Sequence, residues 1–277
     1  MAVYSLLDFI AEENDNFLIG SFESFHIGHY QLYRELMAQK QGRKFIVVFS
    51  LNSSMDKFTD HIFTDDNARY TKFAELDIDG IIELDFISVA GLEAKEFLNK
   101  LTQNKKTKII VGEDFRFGKG ANTTASEITS LNPNITCIIK SIYKVTGLKL
   151  GTKRLKETLE FGQVSFVNDL LVWNYTFSCQ FQSQNEIITH PKLAIMHKGV
   201  YAVFVHVDGF AYYALMHINF DGKRIIYLID EENSFIKEKT IGLIEVVKEV
   251  RLIANKKYDL IAAEDVLEAK TIFKEYI

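Results

Sequence analysis

The chain has 277 residues, 37 acidic against 32 basic, a net charge of −5 and 47% apolar content. This is globular composition with enough apolar material for a large core, and its charge disfavours a nucleic-acid partner held by bulk electrostatics. Cys137 and Cys179 are the only cysteines, too few for a disulfide framework or a cysteine-based metal site, which fits a reducing compartment.

The N-terminal MAVYSLLDFIAEENDN carries no basic region and turns acidic after a short apolar stretch, unlike a signal peptide. No apolar run approaches the ~20 residues of a membrane span. A cytoplasmic protein with no membrane partner is expected, and oligomeric state is not legible.

Residues 17–36, FLIGSFESFHIGHYQLYREL, read as strand, turn and helix. An apolar run at 17–19 breaks at Gly20, and from about Gly28 the residues Tyr30, Leu32, Tyr33 and Leu36 recur at helical spacing. The first turn of a helix presents unpaired N–H groups and partial positive charge, a good seat for phosphate. Gly20 and Gly28 let such a ligand approach the main chain. His26 and His29 stand either side of Gly28, and each can give a hydrogen bond or a positive charge to a phosphate. This HxGH pattern is the signature of nucleotidyltransferases that move an adenylyl or cytidylyl group. In isolation two such histidines read as caps or surface residues; the strand, glycines and amphipathic helix around them give the motif its weight.

Further along, 44–50, 80–86, 108–112 and 135–141 are apolar and β-branched, as buried parallel strands are, with helices expected at 66–77, 90–103 and 122–131. The fold class is therefore α/β: a doubly wound parallel sheet, with its ligand site at the carboxyl ends of the strands. One such end carries IIVGEDFRFGKGAN, 109–122, where Phe115 and Phe117 stand beside Asp114 and Arg116. An aromatic and a carboxylate there can stack on and hydrogen-bond to a ring system. A plain charged loop after a strand has the same look.

From Tyr175 the chain reads as antiparallel β: 175–181, 199–207, 211–220, 224–230 and 239–250, then a helix over 262–277. Asp208-Gly209 and Asp221-Gly222 are hairpin signals. His61, His190, His197, His206 and His217 show no metal-ligand spacing.

GSFESFHIGH resembles the GxFDGxHxGH motif, and VGEDFRFG the GxDFxFG motif, of bacterial bifunctional riboflavin kinase / FAD synthetases, in the same order and roughly ninety residues apart. The resemblance runs from about residue 17 to the end and weakens after 165. It implies an FMN adenylyltransferase module over 1–172, making FAD and pyrophosphate from FMN and ATP with Mg2+. It also implies a riboflavin-kinase-like β-barrel with a C-terminal helix over 173–277. By resemblance Gly20, Ser21, Phe22, His26, Gly28 and His29 hold the ATP phosphates, while Asp114 and Phe117 lie beside the flavin. The family's SSTRIR segment aligns with GTKRLK, 151–156, which places Thr152, Arg154 and Lys156 on the triphosphate. His26, His29 and Arg154 are the catalytic residues so implied, and no side chain is assigned as a metal ligand. In SLNSSMD, 50–56, which replaces an FxPHP-like segment, Asn52 is the remaining flavin contact.

Several positions depart from the pattern. FDG is Phe22-Glu23-Ser24, Ser-Thr is Thr152-Lys153, and the final arginine is Lys156, which lacks the bidentate fork. In the barrel, 173–198 reads WNYTFSCQFQSQNEIITHPKLAIMHK, with no glycine and no GxPTAN, and RIIYLID offers only Asp230 as a base. Without these, phosphoryl transfer lacks positioning and charge stabilisation, so loss of the kinase activity is expected. Two other readings stand beside this one. One is an HxGH transferase with another acceptor, such as phosphopantetheine or nicotinate mononucleotide. The other is a flavin- or nucleotide-binding descendant that no longer turns over.

Overall fold

A computed structural model describes residues 1–51, 61–145, 147–229 and 235–276. Asn52 and Asp230 lie outside the described residues. Packing divides the chain into two units, Met1–Asp60 with Thr71–Leu150, and His61–Tyr70 with Gly151–Ile277.

The first unit is built on β1 (Ala2–Ser5), β2 (Asn16–Ile19), α1 (Ile27–Met37), β3 (Lys44–Phe49), α2 (Asp66–Phe73, straddling the division) and β4 (Gly80–Leu84). There follow α3 (Phe86–Val89), α4 (Ala94–Thr102), β5 (Thr107–Gly112), a small ribbon of β6 (Arg116–Phe117) and β7 (Thr123–Thr124), α5 (Ile128–Leu131) and β8 (Ile135–Lys140). A second ribbon, β9 (Lys144–Val145) with β10 (Leu148–Lys149), ends the unit. Six strands form one wholly parallel sheet in the order β1-β4-β3-β2-β5-β8. Strands covered on both faces need apolar side chains in both directions, which is why β2, β3 and β5 are nearly unbroken apolar runs. One face packs Phe17, Phe45, Ile82 and Ile109 against Phe97, Leu98 and Leu101 of α4.

The sheet order reverses at β2. Strands β3 and β4 add on one side of it, and β5 and β8 on the other. In open α/β sheets such a reversal opens a crevice at the carboxyl ends of the two central strands, here β2 and β5. The doubly wound class expected from the sequence is the one observed. The edge strand β1 was not foreseen, because its four residues are mostly exposed and carry no core pattern.

The second unit continues with α6 (Thr152–Glu160) and α7 (Val164–Asn168), then β11 (Tyr175–Phe181), β12 (Glu186–Thr189), β13 (Gly199–Val207), β14 (Phe210–Ile218), β15 (Arg224–Leu228), β16 (Ile241–Leu252) and α8 (Ala263–Phe273). The six strands close into an antiparallel barrel in the order β11-β12-β15-β14-β13-β16. Cross-strand pairs put Tyr175, Phe177, Val203, Ala214, Ile244 and Val246 on one face, all fully buried. The opposite face of β13 and β14, with Val200, Ala202 and Leu215, packs on Ile272 and Phe273 of α8. Asp208 and Gly209 both have positive φ, 50° and 83°, the geometry of a two-residue primed turn. Strand β12 was missed in the sequence because four residues between polar turns give too short a period.

Within this unit Arg251 and Asp265 form a two-pronged ion pair at 2.8 and 2.7 Å, tying β16 to the start of α8. Burial alone would raise the Asp265 carboxyl, but the Arg251 guanidinium and the Ala262 N–H outweigh it and hold the group below the ordinary carboxylate range. A carboxylate with a depressed folded-state pKa contributes stability above its unfolded pKa and loses it as pH falls through the folded value. Asp265→Asn is therefore expected to cost about 1–3 kcal/mol at pH 7, the scale of a charge-assisted hydrogen bond, with the gap to wild type closing in strong acid. Urea unfolding at neutral and acidic pH checks this; an equal gap at both would contradict it.

Candidate functional site

Strand β2 delivers the chain to Gly20, whose N–H donates to the Val47 carbonyl at 3.2 Å. The next residues turn sharply. Phe22 has φ +39°, a left-handed conformation that costs a bulky residue about 1–3 kcal/mol. Its ring folds back over Gly20, where an added Cβ would stand 2.6 Å from the ring's Cζ. Gly20 is thus required by the Phe22 ring as well as by any ligand.

Helix α1 begins on His26. Its side chain is the N-cap, with Nδ1 accepting from the His29 N–H at 3.3 Å, so this nitrogen is unprotonated and the ring proton is on Nε2. The His29 ring lies parallel to it, centroids 3.7 Å apart and planes 15° off. His29 Nδ1 is 2.7 Å from the Ser24 carbonyl oxygen; a carbonyl only accepts, so Nδ1 carries the proton. The two rings differ in tautomer: His26 carries its proton on Nε2, and His29 keeps Nε2 as an acceptor that becomes a donor on protonation. His26 is 6% exposed. The capping role and the catalytic reading of this residue are compatible, because the cap uses one ring nitrogen and the chemistry the other.

Gly28 faces a second constraint. A Cβ there would meet the Tyr143 Cβ at 2.9 Å and the His26 ring at 3.1 Å. Ser24, which stands where the family pattern has the glycine of FDG, contributes its carbonyl, and Tyr143 is marked by no sequence motif.

Beside β2, β5 ends at Gly112 and leads into Glu113 and Asp114. Asp114 is half-exposed and pairs with the Lys149 ammonium of β10 at 2.5 Å. Glu113 accepts from the Ile142 N–H at 3.0 Å. Phe115 stacks on Phe117, 5.4 Å between centroids and 13° between planes. Phe117, expected beside the flavin, is 7% exposed and packs with Phe97 in the core; Phe115 is the more open ring. The HxGH turn and the GEDFRFG loop therefore follow the two central strands of the sheet, on either side of its reversal.

Thr152, Arg154 and Lys156 stand on α6 in the second unit. Thr152 opens the helix after Gly151, Arg154 is exposed, and the Lys156 ammonium donates to the His61 carbonyl. Leu155 and Leu159 are the buried side of that helix. Burial pushes the Cys137 thiol up to about 11 and Cys179 up to about 12, so neither is a thiolate at neutral pH. Among the described residues no helix is long and apolar enough to cross a membrane.

A family model described as FAD synthetase matches residues 10–155, more than half of the chain. The chain belongs to that family. The match covers the parallel sheet except its edge strand β1, together with the HxGH turn and the GEDFRFG loop. A relative from Buchnera aphidicola subsp. Acyrthosiphon pisum (strain APS), described as a bifunctional riboflavin kinase/FMN adenylyltransferase, is 26% identical over 223 residues. Those residues are 70% of this chain and 69% of the relative. A second relative, from Geobacillus thermodenitrificans (strain NG80-2), is 25% identical over 162 residues, 56% of this chain and 88% of its own. A crystal structure described as a macrolide-efflux protein from Streptococcus pneumoniae superposes with a TM-score of 0.76 over 99% of this chain and 98% of its own. At 16% identity it shows a shared fold and nothing about activity.

Gly28→Ala tests the tightness of this turn. Alanine gains up to about 1 kcal/mol in a helix, while overpacking costs about 1–3 kcal/mol. The Tyr143 Cβ cannot swing aside, so the expected outcome is a net loss of up to about 2 kcal/mol in denaturant unfolding. A variant as stable as wild type would show that the contact relaxes freely.

Proposed function

We propose that this member of the FAD synthetase family is an FMN adenylyltransferase. A phosphate oxygen of FMN attacks the α-phosphorus of ATP in line, the new P–O–P bond of FAD forms, and the bond to the β-phosphate breaks to release pyrophosphate. No covalent enzyme intermediate is needed. What supports the reading is the juxtaposition of the HxGH turn after β2 with the GEDFRFG loop after β5 at the reversal of the sheet.

In this reading the main chain of Gly20, Ser21, Phe22 and Gly28 bounds the phosphate seat, and the positive end of α1 faces it. His26 Nε2–H and protonated His29 oppose the charge that grows on the α-phosphoryl oxygens and the leaving pyrophosphate. Phe115 and Asp114 take the flavin side, with Phe117 stacked behind Phe115. From the motif alone, Arg154 is a third catalytic charge and Thr152 and Lys156 hold phosphate oxygens. The module boundary is drawn at 172/173 on the same ground.

Mg2+ belongs to the proposal. Among the described residues no group of three His, Cys, Asp or Glu side chains is placed to hold a metal ion. Mg2+ that enters on a nucleotide takes most of its ligands from phosphate and water. Bound there it neutralises phosphate charge.

The second half of the proposal is that riboflavin kinase activity is absent. Supporting it are an interval, 173–198, with no glycine to cradle phosphates, and a barrel whose inner face is filled by Tyr175, Phe177 and Tyr201.

Incubation with ATP and Mg2+ plus either FMN or riboflavin, followed by flavin separation, tests both halves. FMN should go to FAD and riboflavin should remain unchanged. His29→Ala should lower FAD formation about a hundredfold or more, the scale of losing a transition-state donor. Near-full turnover by that variant would remove His29 from the mechanism, and FMN appearing from riboflavin would restore the kinase.

A further inference from the structure

The His29 ring is boxed in. His26 covers one face at 3.7 Å, Phe22 meets it edge-on at 4.9 Å and 90°, and Phe25 lies 6.1 Å away at 36°. Phe25 is itself fixed by Phe22, Tyr33 and Phe73 at 5.8, 6.5 and 5.5 Å. Phe22 and Phe25 are both buried, so neither ring offers its surface to solvent or a bound nucleotide. Phe22 alone in this group also holds a left-handed backbone conformation.

We infer that Phe22 is a positioning residue: its ring locks the imidazole of His29 so that Nδ1 stays on the Ser24 carbonyl and Nε2 is presented to the reacting phosphate. Strain kept at a buried aromatic is the mark of a side chain needed in that place, since glycine would take the same φ without strain. The hydrogen bond to Ser24 holds Nδ1, and any rotation about Cα–Cβ or Cβ–Cγ that breaks it must swing the ring against its neighbours. The edge of Phe22 and the face of His26 oppose that swing. A reacting group displaced by about 1 Å loses up to a hundredfold in rate.

The catalytic part of this inference rests on adenylyl transfer; the ring-locking part does not. The test therefore reads both. Phe22→Gly accepts the backbone conformation and deletes the ring, and Phe22→Leu restores bulk without the aromatic edge. Nitrogen-15 spectra of the histidine rings in the ligand-free protein should show His29 as a single Nδ1–H tautomer in wild type. In Phe22→Gly it should show a tautomer mixture, with Phe22→Leu between the two. Should Phe22→Gly not fold, Phe22→Leu alone carries the reading. In the FMN and ATP assay, Phe22→Gly should lose about ten- to a hundredfold in kcat with the KM for ATP nearly unchanged.

An unchanged His29 spectrum in a folded variant overturns the locking role. A rise in KM with kcat intact makes Phe22 a binding residue and overturns the positioning role. If wild type makes no FAD while the tautomer still shifts in the variants, the locking stands and the adenylyl-transfer reading is what has failed.

Discussion

Everything in the first unit turns on how one chain leaves a buried parallel strand and enters a helix within seven residues. Between Ile19 and Ile27 the backbone must reverse and cap α1. It does so by capping the helix with a histidine rather than with the usual serine or aspartate. An aspartate cap would place a negative charge at the helix head, against any phosphate. An imidazole accepts the same N–H through Nδ1 and stays neutral, with a donor on its other side.

The stacking of His29 on His26 follows from that choice. Helical geometry brings residue i+3 onto the same face as the cap, so the two rings meet whenever both are histidine. The Ser24 carbonyl then sets the tautomer of the second ring. A neutral donor and a protonatable acceptor arise side by side from a three-residue spacing. The cost is borne by the backbone at Phe22 and by two glycines that leave no room for a side chain.

Much of this was legible in the sequence. The buried strands β2, β3 and β5 announce themselves because coverage on both faces demands apolar residues at every position. The HxGH turn was placed correctly, since strand, glycine and amphipathic helix all agreed. The short elements were not visible: β1 is a four-residue edge strand, β12 has only four residues, and α5 is a single turn. Side-chain direction was the other blind spot. Phe117 belongs to a motif that reads as ligand-facing, yet in a two-residue strand it points into the core beside Phe97. Gly20 and Gly28 read as openings for phosphate, and the packing adds a second reason for each, the Phe22 ring over Gly20 and Tyr143 with His26 beside Gly28. A one-dimensional pattern names the residues of a turn but not what they pack against.

The central claim is that ATP binds at the head of α1. Its most direct test is a titration of the protein with ATP and Mg2+ followed by backbone amide shifts. The account predicts that the largest changes fall on Gly20 to His29, with smaller ones around Gly112 to Phe117. Amides of that turn left unmoved at saturation, with the shifts gathered on the barrel strands instead, would contradict it.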